Sequence, residues 1–367
     1  MEIESIKVVF VFVIIIQFLF LLIVFLPLHD AAYKNTHLES IKLDWPDISI
    51  LIIVKNEVAN LADLIPHLLK LEYNGNFDIH ILDDNSTDGT HEFVQQRFGK
   101  YAQIHFHLSP NGVLTGKKQR LVDLAKIETH KTVLLTDADC RPGPKWLSSM
   151  ALCSMQHDIV LGYSPFYEDS QYINNLIQFE TALTGMMYSG LALLGQAYMG
   201  VGRNILYNRN VLFSSTNLNK YKEVLSGDDD LTVNELKSTN SPGINLDPAS
   251  FVHSIPKTNL TDWIRQKQRH VSTAKYYNIS DQVILFSYYS SHVTWWMSIF
   301  ILIFVDLRLA VIGLLLKWIW YLIFRNISRK VFKYVFAWNK IICADLLYSF
   351  CLVYLLPAAT IKKVLKW

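Results

Sequence analysis

The chain has 367 residues, 51% hydrophobic, and only 18% are charged, against about 25% in an ordinary soluble chain. A formal net charge of +2 supplies no basic field for nucleic acid, so no nucleic-acid partner is expected. The four cysteines, Cys140, Cys153, Cys343 and Cys351, contain no CxxC pair, which excludes a zinc ribbon or a disulfide framework and fits a reducing compartment.

The first element is apolar from Val8 to Leu26 except for Gln17. At about 1.5 Å per residue it reaches roughly 28 Å, enough to cross a bilayer core. A cleaved signal peptide is the weaker reading, because Glu2 and Glu4 stand where basic residues should, and Pro27-Leu28-His29-Asp30 is a poor cleavage site. Residues 1–30 are therefore expected to be an uncleaved anchor.

From about residue 46 the pattern alternates. Ile48–Val54 reads as a buried strand, Glu57–Leu71 as a helix through Leu61, Leu64, Ile65 and Leu68, and Phe77–Leu82 as a second strand. Thr90–Phe98 reads as helix, Gln103–Leu108 as strand, Gly116–Lys126 as helix and Thr132–Leu135 as strand. This order predicts an α/β fold with a mostly parallel sheet and helices on both faces. Ligands of such sheets bind beyond the carboxyl ends of the strands, where polar residues collect here. Tyr172–Leu194 is apolar but broken by Glu180, Thr184 and Ser189, as either an interfacial helix or a buried core helix would be.

Three acidic clusters follow strands or loops. Asp83-Asp84-Asn85-Ser86-Thr87-Asp88-Gly89 mimics the start of a calcium loop, but its twelfth position is Gln95 rather than Glu and a strand precedes it, so that reading fails. A turn with a helix cap explains Asp88-Gly89 but not two carboxylates ending a buried strand, which suit hydrogen bonds from a base and ribose. Asp137-Ala138-Asp139 ends the Thr132–Leu135 strand, where two carboxylates can share a hard divalent ion with a diphosphate. In Ser226-Gly227-Asp228-Asp229-Asp230 three adjacent carboxylates either form a surface loop or crowd one another toward the pKa of a general base.

Gln266, Arg269 and His270 share one face of a helix that starts near Trp263, and that helix suits contact with anionic lipid, with substrate, or with both. The tail holds further apolar stretches, Val283–Val305 and Leu309–Phe324, the latter interrupted by Lys317. Arg325, Arg329, Lys330 and Lys333 then form a basic loop expected to face the cytosol. Ile341–Ala359 either spans or lies at the interface, since Asp345, Pro357, Lys362 and Lys363 weaken it as a span.

Six motifs in order then carry a resemblance: Lys55-Asn56-Glu57, Asp83-Asp84, Gly116-Lys117, Asp137-Ala138-Asp139, Gly227-Asp228-Asp229 and Gln266-x-x-Arg269. From about Ile48 to Tyr277 the chain resembles the membrane-bound inverting glycosyltransferases of family 2, the branch with cellulose, hyaluronan and ceramide-glucose synthases. The resemblance implies a GT-A nucleotide-sugar-binding domain over 46–255, an interfacial motif helix over 256–280 and a membrane region over 281–367. One N-terminal and two or three C-terminal transmembrane helices would flank the domain. It implies Asp83 or Asp84 on the uridine of a UDP-sugar, with Asn56, Glu57 and Lys117 nearby. Asp137 and Asp139 would hold Mg²⁺ or Mn²⁺ on the diphosphate, and Asp229 would be the base. Gln266 and Arg269 would meet the departing diphosphate, and Gly202, Arg203 and Asn204 would line the acceptor side with His270.

The sequence departs from the family at three places. Ile53 replaces a usual proline, the acidic motif reads Asp-Asp-Asp so that Asp228 is an alternative base, and His270 replaces the tryptophan that flanks the acceptor in polymerising relatives. The last departure favours single transfer to a lipid or lipid-linked acceptor over processive polysaccharide synthesis. A bacterial inner membrane with the catalytic domain in the cytosol is the expected location. A non-catalytic nucleotide-sugar- or metal-binding membrane protein is the reading from another class.

Overall fold

The computed structural model describes residues 2–35, 44–109, 117–124, 126–220 and 227–358. The chain divides into two compact units, one comprising Ala32–Tyr167, Gly195–Ile255 and Val364–Trp367, the other Met1–Ala31, Glu168–Leu194 and Pro256–Lys363.

The first unit is the expected α/β domain. Its strands are β1 (Ile48–Val54), β2 (Phe77–Asp83), β3 (Ile104–Leu108), β4 (Thr132–Thr136), β5 (Cys140–Pro142), β6 (Ile159–Gly162), β7 (Ile205–Asn208), β8 (Gly243–Asn245) and β9 (Val252–Ser254). Seven of them form one sheet in the order β3-β2-β1-β4-β7-β6-β8, and β5 pairs with β9. The first four are mutually parallel, and β7 runs antiparallel to both neighbours. The β-branched run of β1 is buried at six of seven positions, which suits a central strand covered on both faces. Helix Val58–Leu68 lays Leu61, Leu64, Ile65 and Leu68 on that core at helical spacing, where they meet Ile50, Ile52, Ile79 and Ile81.

Because β7 is antiparallel, its first residue Ile205 pairs with Leu135 near the carboxyl end of β4. The segment before β7 thus reaches the same sheet edge as the segment after β4. That edge gathers the ends of β1, β2 and β4 with Gly202-Arg203-Asn204.

The second unit is helical. Among the described residues, four of its helices are long and apolar enough to cross a membrane: Glu4–Ala32, Ile279–Val305, Leu307–Val331 and Trp338–Leu355. The last overlaps the stretch Ile341–Ala359 that the sequence left open, up to Leu355. The polar residues that interrupt these helices find one another. Gln17 Nε2 donates to the Tyr288 carbonyl (3.0 Å) and to Ser291 Oγ (2.8 Å). Asp345 lies 3.3 Å from Lys317 Nζ and 3.0 Å from His292 Nε2 and accepts from Trp296 Nε1 (2.7 Å) and the Tyr321 hydroxyl (2.8 Å). Lys317 Nζ also sits 4.7 Å and 4.9 Å from the Trp320 and Trp295 ring centres. Burial without partners would be prohibitive for such groups, so each interruption requires the others.

Helix Tyr172–Leu193 is buried along most of its length, as the buried-core alternative expects. A Cβ on its Gly190 would run into the Val24 carbonyl, so only glycine allows the two backbones this close.

Candidate functional site

At the ends of β1 and β2 two asparagines take left-handed backbone, Asn56 at φ 58° and Asn85 at φ 59°, a conformation asparagine tolerates better than most residues. The turns they make are laced together. Asn56 Oδ1 accepts from the Thr87 amide (2.8 Å), and the Asn56 amide donates to Ser86 Oγ (2.8 Å). The Ser86 amide donates to Asp83 Oδ1 at 3.1 Å, and Asp88 Oδ2 accepts from the Val58 amide at 3.3 Å.

Asp83 and Asp84 are both buried, and their carboxylates do different jobs. Asp83 holds the Ser86 turn, whereas Asp84 Oδ1 accepts from Arg120 Nε at 2.7 Å and Oδ2 lies 3.8 Å from Lys55 Nζ. Arg120, wholly buried, also donates to Asp123 Oδ2 at 2.7 Å. Lys117 opens the helix Lys117–Leu124, but its side chain and all of Gly116 lie outside the described residues.

The carboxylates of Asp137 and Asp139 follow β4. Asp139 Oδ2 accepts from Ser254 Oγ at 3.0 Å, and Arg141 Nη1 donates to the Ala138 carbonyl at 3.0 Å, which fixes the turn between them. Glu57 joins this group electrostatically. Burial raises its carboxyl above the usual range, the bond from Asn60 Nδ2 (2.7 Å) opposes that, and the charges of Asp139, Asp137 and Asp88 raise it further. Burial and the same two aspartates push the Cys140 thiol up to about 12, so it stays protonated. A carboxylate group whose members repel one another, built from hard oxygen donors, fits Mg²⁺ or Mn²⁺.

The Asp-Asp-Asp run separates into three roles. Asp229 Oδ2 accepts from the Gly202 amide (2.7 Å) and Oδ1 from the Asp230 amide (2.9 Å), which caps helix Asp230–Leu236. Asp230 is buried and binds the Leu231 amide, and the Asp228 carbonyl accepts from Thr232 Oγ1. A Cβ on Gly202 would come within 2.9 Å of Asp229 Oδ2, so glycine is what permits this contact. Ser226 lies outside the described residues.

The two residues after Gly202 turn inward. Arg203 donates from Nε to Ser164 Oγ (2.9 Å) and from Nη2 to the Ser164 carbonyl (2.8 Å), with its guanidinium 4.7 Å from the Phe166 ring centre. Asn204 is completely buried. Its Oδ1 accepts from Trp146 Nε1, and its Nδ2 donates to the Tyr163 and Ser250 carbonyls, all at 2.9 Å. Asn204 therefore fastens the sheet edge through three side-chain hydrogen bonds.

Gln266, Arg269 and His270 lie in the helical unit, on helix Leu260–Val271, capped by Asn259 Oδ1 on the Asp262 amide (2.9 Å). Between the motif positions, Lys267 Nζ pairs with Glu180 Oε2 at 2.5 Å on helix Tyr172–Leu193, and Glu180 Oε1 accepts from Thr184 Oγ1 at 2.9 Å. Glu180 and Thr184, two of the polar breaks that made Tyr172–Leu194 ambiguous in sequence, are thus the seat of this contact.

Sequence reasoning missed Arg120, Ser254 and Trp146. Arg120 lies three residues past Lys117 on the same helix, a usable signal. Nothing local marks Ser254 as the partner of Asp139, since 115 residues separate them.

Comparison with known proteins follows the same lines. Residues 49–213 match the family model described as Glycosyl transferase family 2. A beta-monoglucosyldiacylglycerol synthase from Nostoc sp. is 32% identical over 111 residues, 30% of this chain and 24% of that protein. The synthase of the same name from Synechocystis sp. is 29% identical over 96 residues, 26% of this chain and 20% of that protein. The match thus spans under a quarter of these curated relatives. Among solved structures, the mannosyltransferase PcManGT from Pyrobaculum calidifontis in complex with GDP-Man and Mn²⁺ aligns with a TM-score of 0.55 at 15% identity. That alignment covers 94% of this chain and 99% of the other, and establishes a shared fold.

Proposed function

From the match of residues 49–213 to the glycosyl transferase family 2 model, we propose that the protein transfers a sugar from a nucleoside-diphosphate donor to a lipid acceptor with inversion. The observation that carries this reading is Asp229 held against Gly202 at the sheet edge that also bears Asp137 and Asp139. In the proposed reaction Asp229 accepts the proton of the acceptor hydroxyl as its oxygen bonds to the anomeric carbon. The bond from that carbon to the diphosphate breaks in line, and the nucleoside diphosphate leaves with the electron pair. Asp228, one residue away, is the alternative base.

The donor side follows from the turns at β1 and β2. Asp84, aligned by Arg120, and the Asn56-Glu57 turn are proposed to receive the base and ribose, with Lys117 assigned to the same nucleoside by its motif. Asp137 and Asp139 would hold Mg²⁺ or Mn²⁺, which when bound offsets charge on the diphosphate. Gln266 and Arg269 are assigned by their motif to the same departing charge.

A lipid acceptor is supported by the helices long enough to cross a membrane and by the glucosyldiacylglycerol synthase relatives. His270 in place of tryptophan favours one transfer per acceptor. The proposed setting is a bacterial inner membrane with the α/β unit in the cytosol. Membranes containing the protein, supplied with radiolabelled nucleotide-sugars, should place label in extractable lipid and lose that labelling in chelator. Label found only in long polymer would replace this reading with a processive synthase.

A further inference from the structure

A second group of ionisable side chains stands away from the strand ends used above. On β2, Ile79 and Ile81 point into the main core, so Asp78 and His80 occupy the opposite face. His80 is in register with His105 on the edge strand β3, and His107 follows on that face. Asp78 and His80 precede Asp83 by five and three residues, roughly 16 and 10 Å along a strand, which sets the group back from the aspartates at the carboxyl edge.

Ligand-capable atoms of Asp78, His80 and His105 all lie within 4.8 Å of one another. His80 is 3% exposed, and its Nδ1 is 3.0 Å from His107 Nε2. Its other nitrogen, Nε2, lies 3.2 Å from Asp78 Oδ2 outside good hydrogen-bond angles. Against the effect of burial, His80 and Ser49 hold the Asp78 carboxyl below its usual range, while its Oδ1 stays buried. His130 Nε2 approaches the same carboxylate at 3.5 Å. The contact between His80 Nδ1 and His107 Nε2 is a hydrogen bond, which His80 Nδ1–H donates in one of the two ring tautomers. In that tautomer the His80 Nε2 lone pair faces a carboxylate, an arrangement that a cation between them would satisfy.

We propose that Asp78, His80 and His105 form a binding site for a borderline divalent cation of the Zn²⁺ class, with His107 orienting His80. Imidazole nitrogen with one carboxylate suits such an ion better than Mg²⁺, and its bonds run about 2.0–2.2 Å. Ligand atoms now up to 4.8 Å apart would close by small rotations, chiefly of His105, which is exposed. The ion would clamp edge strand β3 to β2.

The proposal is independent of the transfer reaction, and its test uses full-length protein in detergent carrying Asp137→Asn and Asp139→Asn, so that zinc is not counted at those aspartates. After incubation with Zn²⁺ in excess Mg²⁺ and desalting, elemental analysis should find about one zinc per chain, with a raised Tm. His105→Ala, at an exposed edge position, should remove that zinc, and His107→Gln should weaken it about 10–100-fold. His91→Ala, whose ring stacks on Phe106, should retain it. Little or no bound zinc, or zinc unchanged in His105→Ala, would overturn the site and leave ordinary histidine–aspartate contacts.

Discussion

Aspartates in the two units face opposite circumstances. In the helical unit Asp345 is completely buried among Lys317, His292, Trp296 and Tyr321, which meet its charge from within the protein. At the edge of the sheet, Asp137, Asp139 and Glu57 confront charges of their own sign. The first arrangement balances charge within the protein and holds helices together; in the second, burial and like charges raise the Glu57 carboxyl while Asn60 and Ser254 bind Glu57 and Asp139. The difference teaches that an acidic residue is read by its neighbours, not by its placement in an apolar or polar stretch.

The comparison can be broken most forcefully from its balanced side. Asp345→Leu should destabilise the helical unit by roughly 3–5 kcal/mol, because Lys317 is left buried without its counter-charge. Thermal unfolding in detergent measures this, and adding Lys317→Met should recover most of the loss. If the double variant is no better than the single one, the pair is not the reason for either residue.

At the sheet edge, Gly202→Val should lower transfer at least about tenfold, since its side chain would displace the Asp229 carboxylate from the Gly202 amide. Tm should change less than activity. Asn204→Ala should instead cost stability, about 1–3 kcal/mol, by leaving Trp146 Nε1 and two carbonyls without their partner. Activity per folded molecule should survive, which separates a framework asparagine from one that touches an acceptor.

Much of the frame was legible in the sequence. The bounds of β1 coincide with the run Ile48–Val54, because a buried β-branched run carries its own boundaries. Strands β6, β7 and β8 were missed: at four, four and three residues they are too short to show periodicity, and only the sheet recruits them. The separate blemishes Lys317 and Asp345 weakened two membrane helices when read singly, although they are partners across 28 residues. Likewise, the Asp83-Asp84 pair looked like one feature, whereas Ser86 and Arg120 divide it into a turn anchor and a candidate ligand contact. Long-range partners of this kind leave no local trace.

The central claim is that Asp229 carries the proton step and does not hold the donor. Asp229→Asn keeps size and one acceptor atom at that position, so nucleoside-diphosphate binding should stay within about twofold of the unaltered protein. Transfer of radiolabelled sugar should fall by about 10²–10⁴-fold in the same membranes. Unchanged transfer, or a loss of nucleotide binding equal to the loss of transfer, would contradict the account.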